Sequence, residues 1–350
     1  MSQYSNFKII YISSNDGSDM RINKEVRTLL KRIPVIFIGI GDPQYCFLDH
    51  PDLKVILIDG KRKSILTIAK QIFIVARLLM SGKIKSVHVI NEQLMLFFWP
   101  LLWSTHTVLD VFDSIFLKAN IQPESLIVLK RIVYAPINEV LVTDDNRKGL
   151  MPKFLQKRTH VLPNYPEAYH GTIDQTTPSE KLTLLFFGWL GMNRGGNVAK
   201  GLLEASEQVR VIMMGWFSDD GAKELAKHER VDYRGVVPQQ QALEVAATEA
   251  DYILCVYEPI NLNNINASPN KIYDAIQAST PLIINAEVKV SSLVSDLNIG
   301  IVMPTCFPAD YRSLVAELQT KKRLFTFPEG LKQTYTWEHV ESKLWTAHQL

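Results

Sequence analysis

The sequence predicts two tandem α/β domains, each a doubly wound, Rossmann-like parallel sheet, facing each other across a cleft. Three observations lead there. Short apolar runs alternate with helical stretches along the whole chain, the mark of parallel strands joined by helical crossovers and covered on both faces. The alternation is interrupted once, at 167–181, where Gly171, Pro178 and several threonines read as a connection. A length of 350 residues at 47% hydrophobic content suits two cores rather than one.

The first domain, 1–166, opens with FKIIYI (7–12) and a helical stretch at 22–31. VIFIGI (35–40), KVILID (54–59), SVHVIN (86–91), TVLDVF (107–112), EVLVTD (139–144) and THVLPN (159–164) continue it. The second domain, 180–335, has LTLLFFG (182–188), VRVIMMG (209–215), VDYRGVV (231–237), DYILCVY (251–257), PLIIN (281–285) and IGIVMP (299–304) as strands. Helices are expected between them at 197–207, 239–249 and 269–278, and again at 337–349. Sheets of this kind bind ligands beyond the carboxyl ends of their strands, so the expected site faces the cleft.

The apolar stretch 65–80 is interrupted by Lys70 and Arg77 and spans no bilayer; 94–103 is too short. Helical periodicity favours a buried helix at 65–80. Its basic flanks (Lys61, Arg62, Lys63, then Lys83, Lys85) also fit a monotopic membrane contact. The N-terminus enters a strand without a basic region and cleavage site, so no secretory leader is expected. Cys46, Cys255 and Cys306 match neither a disulfide framework nor a zinc spacing, which points to a reducing cytoplasm. The formal net charge of +2 hides an asymmetry. Residues 1–165 carry 22 Lys+Arg against 14 Asp+Glu, the remainder 16 against 22. The basic half is expected to face an anionic membrane or a phosphorylated acceptor, not nucleic acid.

The segment NASPNKIYDAIQASTPLIIN (266–285) is the most informative. Ser268 suits a helix cap, Pro269 the first turn, and Ser279-Thr280-Pro281 a stop before a strand. Asn270 and Lys271 then fall in the first turn, where free N–H groups and the helix dipole favour an anion. Asp274, one turn on, is placed to accept hydrogen bonds from sugar hydroxyls. A plain surface helix packing Ile272, Ala275 and Ile276 is the alternative for any one of these residues. In the loop 13–19, Gly17 lets the backbone approach a phosphate or sugar; an ordinary βα turn is the alternative. GWLGMNRGG (188–196) follows a strand and opens a helix, and Arg194 offers a forked, permanently charged donor. His88, between apolar neighbours, reads as a structural histidine, and Glu92 as a residue facing the cleft.

Together these segments resemble GT-B glycosyltransferases of the family 4 type over nearly the whole chain. The resemblance implies that 1–166 binds the acceptor, that 180–335 binds a nucleotide-sugar donor, and that 336–350 is a final helix crossing back. It makes Gly188 part of the Gly-rich loop, with Arg194 meeting the donor diphosphate opposite Lys271. Trp189 stands where many members carry a further basic residue. Ser268, Asn270, Lys271 and Asp274 correspond to the donor-site turn. The family's Glu-x7-Glu is not kept, since counting back from Asp274 reaches Asn266. Glu258 becomes a candidate for the sugar or an acceptor hydroxyl, and Gly235, within YRGVV (233–237), lies where the base rests on main chain. VLDVFDS (108–114) resembles a strand commonly reading VYDVHD, with Phe112 in place of the histidine. Asp113 is the candidate there, and a strand-end role for Asp110 and Asp113 is the alternative.

The implied activity is a retaining, metal-independent transfer from a nucleotide-diphosphate sugar to a growing, lipid-linked cell-surface glycan, with no cofactor. The implied place is the cytoplasm, peripheral to the membrane. A GT-B nucleotide-sugar 2-epimerase and an inactive sugar-nucleotide binder are the alternatives. A nicotinamide dehydrogenase fits poorly, because Gly39-Ile40-Gly41 follows the second strand and has Gln44 at the third glycine. A GT-A enzyme would show Asp-x-Asp, which does not occur.

Overall fold

Each of the thirteen apolar runs forms a strand in the computed structural model, which describes residues 7–61, 64–173, 181–322 and 324–350. The basic residues Arg62 and Lys63 and residues 174–180 of the expected connection lie outside the described residues. The chain divides into two units: Met1–Asn164 with Val340–Leu350, and Tyr165–His339.

The first unit comprises β1 (Lys8–Ile12), α1 (Met20–Leu30), β2 (Val35–Ile40), β3 (Leu53–Ile58), α2 (Ile65–Leu79), β4 (Ile84–Ile90), α3 (Glu92–Phe98) and β5 (His106–Val111). It continues with α4 (Ile115–Lys118), α5 (Ile127–Tyr134), β6 (Glu139–Val142), α6 (Asp145–Gly149), α7 (Lys153–Gln156) and β7 (Thr159–Val161). The strands pair in the order β3-β2-β1-β4-β5-β6-β7, all parallel. Both faces of such a sheet must be covered, which explains strands as uniformly apolar as VIFIGI. Ile10, Ile12, Val87 and Val89 pack with Val75 of α2, Met95 and Phe98 of α3 and Val133 of α5.

The second unit comprises β8 (Leu182–Leu190), α8 (Gly196–Ala205), β9 (Val209–Phe217), α9 (Asp220–Leu225), β10 (Val231–Tyr233), α10 (Gln239–Thr248), β11 (Tyr252–Cys255) and α11 (Leu262–Ile265). After it come α12 (Lys271–Ala278), β12 (Leu282–Asn285), α13 (Ser291–Asp296), β13 (Gly300–Met303), α14 (Tyr311–Lys321) and α15 (Glu329–Thr334). Its parallel order is β10-β9-β8-β11-β12-β13. The order reverses between β8 and β11, so neighbouring crossovers leave in opposite directions and open a crevice at the strand ends. Two core clusters cover the two faces, Leu184, Phe186 and Leu202 on one and Leu185, Ile253 and Ile276 on the other.

The stretch expected to be one helix at 337–349 is two short ones, α16 (Trp337–Val340) and α17 (Ser342–Ala347). Residues 340–350 pack on the first unit, where Trp345 donates to Thr28 O at 2.8 Å and lies under Arg32. The helix over 65–80 is present, yet it is not buried as expected. Thr67, Ile68, Gln71 and Val75 face the core, while Ile65, Leu66, Phe73 and Met80 are exposed.

Candidate functional site

At the reversal between β8 and β11 the second unit brings two cations together. Lys271 opens α12 and is only 8% exposed. Its Nζ donates to Leu254 O of β11 at 3.1 Å and sits 5.5 and 5.3 Å from the ring centroids of Phe186 and Phe187. Arg194, in the loop after β8, stacks on Tyr257 at 4.6 Å, and its own loop is tied to the neighbouring one by Glu258 N–H donating to Asn193 O. Among the described residues no carboxylate pairs with either cation. Burial drives the Lys271 ammonium down to about 8; nearby Cys255 and Asp274 oppose the shift and the Arg194 charge adds to it. Two like charges converging on one crevice favour an anion between them.

The backbone supports the same reading. Gly195 has φ 118°, a left-handed turn that releases the chain into α8. Neither α8 nor α12 has a side-chain cap, whereas α1 and α9 are capped by Asp19 and Asp219. In α12 the N–H groups of Ile272 and Tyr273 donate back to Pro269 O and Asn270 O, and in α8 that of Gly196 donates to Gly191 O, so only part of each first turn faces the crevice at the positive end of its dipole.

Ser268 is not the cap of α12. The chain turns again after it, Asn270 takes the N-cap position in helical conformation, and the Ser268 hydroxyl is buried with no hydrogen-bond partner. Asp274 is fully buried; its carboxylate accepts from Gln239 Nε2 at 2.7 Å and from Asn270 Nδ2 at 3.5 Å. It therefore holds Asn270 and α10 in place in this structure. Glu258 lines a small pocket with Asn193, Gly195, Asn197, Cys306 and Phe307. Gly188 is exposed and pairs in register with Gly215, which accepts no side chain because a Cβ there would lie 1.9 Å from Gly188 O. Gly235 O accepts from Gly215 N–H at 2.7 Å. Gly188, Gly215 and Gly235 all have positive φ and lie toward the carboxyl ends of β8, β9 and β10.

Gly17 and Asp113 belong to the first unit. Gly17 has φ 95°, but the N–H groups of Asn15, Gly17, Ser18 and Asp19 are spent on side chains of the same loop. That loop is a self-bonded turn and does not offer those donors to a phosphate. Asp113 is half-exposed and paired with Lys118 at 2.9 Å. Glu92, expected to face a cleft, points into the core and accepts from Ser114 and Tyr134, with burial raising its carboxyl above the usual range.

Sequence reasoning missed a buried cluster on the other face of the first sheet. Arg21 pairs with Asp110 at 2.7 Å and Glu25 at 2.7 Å, donates to Leu162 O at 2.9 Å, and lies over Phe112 at 4.8 Å. Tyr11 donates to Glu25, and His88 stacks on Tyr11 and meets His348 at 3.0 Å. Glu25, His88 and Asp110 have the spacing of metal ligands. The Arg21 guanidinium already pairs with both carboxylates of that group, so a second cation there would meet a like charge. Burial and mutual repulsion hold one of the two carboxyls protonated well above the usual range, while Arg21 keeps the other ionised.

No protein-family model and no curated protein sequence matches the chain. Solved structures do. Sucrose-phosphate synthase from Thermosynechococcus elongatus is similar at 14% identity and a TM-score of 0.71, over 98% of each chain. Anabaena HepE in complex with UDP-glucose is similar at 15% identity and 0.65, over 98% of this chain and 97% of that one. WaaG, described as a glycosyltransferase involved in lipopolysaccharide biosynthesis, is similar at 14% and 0.62, over 97% of each. With its two parallel sheets, the chain has the GT-B fold.

Proposed function

We propose that the protein is a glycosyltransferase that takes its sugar from a nucleotide-diphosphate donor. The observation that carries this reading is Lys271, buried beside Arg194 at the reversal of the second sheet and, among the described residues, in no ion pair with a carboxylate. A buried, unpaired ammonium is costly and serves a ligand that brings the counter-charge. A diphosphate bridging Lys271, Arg194 and the first turns of α8 and α12 supplies it. The nucleoside then extends across the glycine-lined ends of β8 to β10, and the sugar lies toward Glu258. The complex of similarly folded HepE with UDP-glucose supports this class of donor.

In this reading the transfer retains anomeric configuration and uses no metal. The sugar–phosphate bond breaks as the acceptor oxygen bonds the same face, and the acceptor proton passes to the leaving diphosphate. Lys271, Arg194 and the helix dipoles stabilise the charge that develops there. The acceptor is a growing, lipid-linked glycan at the cytoplasmic face of a membrane, a reading supported by the basic first half of the chain. A thermal-shift screen of nucleotide-sugars tests the donor class, since a ligand that binds only the folded state raises its melting temperature. Stabilisation by at least one nucleotide-diphosphate sugar is expected; indifference to all of them contradicts the proposal. Turnover that fails in chelator and returns with a divalent ion would remove the metal-free step.

A further inference from the structure

The first unit exposes apolar side chains where a soluble helical layer would present polar ones. At about 100° per residue, Ile65, Ala69, Met80, Phe73 and Leu66 share one arc of roughly 100° on α2, with Arg77 and Lys70 at its edge. Ile65 is 81% exposed and Phe73 69%. The layer extends sideways, because α2 packs on α3 and α3 on α5, and these add exposed Trp103, just beyond α3, and Val128. Between positions 60 and 109 the sequence has seven Lys or Arg and one acid, Glu92, which is buried in the core. A protein interface is typically depleted in lysine, whereas cations rimming an exposed aliphatic arc match phosphates above acyl chains. Among the described residues no helix is long and apolar enough to cross a bilayer.

From this we infer that the outer face of α2, with its neighbours α3 and α5, seats the protein on an anionic lipid bilayer. Apolar side chains of α2 enter the headgroup boundary and Lys70 and Arg77 meet phosphates with their stems lying along it. Helices of a parallel sheet start at the carboxyl ends of its strands, so Ile65, Leu66 and Val128 lie at the ligand-binding rim of this unit. The inference deepens the lipid-linked acceptor reading, but it is tested without any donor.

The experiment is sedimentation of the full chain with phosphatidylcholine vesicles, with and without phosphatidylglycerol, at low and high salt. Binding is expected only with phosphatidylglycerol and is expected to fall with salt. The double substitution K70Q/R77Q should weaken it roughly thirtyfold. Phe73→Asp should weaken it at least tenfold, while Lys200→Gln in the second unit should change nothing. These side chains are exposed, so circular dichroism of each variant should match wild type. No binding to anionic vesicles at low salt overturns the inference. So does binding that survives both α2 variants, or binding that phosphatidylglycerol does not affect. Nucleotide-sugar stabilisation measured on the same preparations separates failure of this surface from failure of the donor reading.

Discussion

Arg21 in the first unit and Lys271 in the second are both buried cations, 1% and 8% exposed, yet their surroundings differ in kind. Arg21 has two carboxyl groups, a carbonyl and a ring face, and its partner Glu25 accepts from Tyr11 and lies 3.2 Å from His88, which in turn meets His348. Lys271 has one carbonyl, two ring faces and a second cation nearby, and the Asp274 carboxylate acts on it only from a distance, being hydrogen-bonded to Gln239. A closed set of charges holds a fold together. An open one stores an unmet need, which a ligand can meet.

Breaking each set should have opposite effects on stability. Arg21→Ala leaves two buried carboxyls facing one another without their cation and should cost about 3–5 kcal/mol. Urea unfolding measures it, and a loss under 1 kcal/mol would mean that the cluster is not holding the first unit. Lys271→Met should stabilise the unliganded protein at pH 7 by on the order of 1 kcal/mol, roughly 3 °C in melting temperature. The sign follows from a folded pKa of about 8 below the unfolded 10.5: the native state disfavours the charged lysine. The gain should shrink as pH rises from 8 toward 10.5, and a destabilised Lys271→Met would show the amine to be structurally satisfied.

The same pKa sets the pH dependence of binding. Affinity for a nucleoside diphosphate should fall up to about tenfold per pH unit above about 8, as the free lysine loses its proton. Calorimetric titrations at pH 7, 8 and 9 check this; a flat profile would exclude Lys271 from the phosphates. The smallest effect concerns the first unit. Burial and the neighbouring His88 and His106 push the His348 imidazole well below its ordinary 6.5. A folded pKa below the unfolded one means that stability is present above about 6.5 and lost as pH falls. His348→Gln should flatten that loss, by on the order of 1 kcal/mol, in melts from pH 7 to 5.

The two sets also differed in how far the sequence revealed them. Every strand was legible, because buried parallel strands are written as short continuous apolar runs. The Lys271 turn was legible in part, since a helix start and its stop before β12 fall within twenty residues. The Arg21 cluster was not, because its partners are 89 residues apart and meet only when β1, β4 and β5 lie side by side. His88 was read as a structural histidine and a strand-end role for Asp110 was kept as an alternative, but the Arg21–Glu25 pair that both meet was invisible. Ser268 misled for a local reason. Ser-Pro reads as a cap and first turn, but the helix begins later, and only backbone geometry shows that Asn270 takes the position. The outer face of α2 misled because periodicity identifies a helix but not which of two apolar sides the fold will cover.

The central claim is that the open charges of the second unit belong to a diphosphate. Its most direct test is calorimetric titration of wild type, Lys271→Ala and Arg194→Ala with a nucleoside diphosphate and with the matching nucleoside. Each charge-assisted contact should be worth about 1.5–3 kcal/mol, so either substitution should weaken the diphosphate roughly tenfold to a hundredfold. The nucleoside should bind all three proteins alike, since neither side chain is assigned to base or ribose. Diphosphate affinity unchanged in both variants would contradict the donor site, and with it the transferase reading.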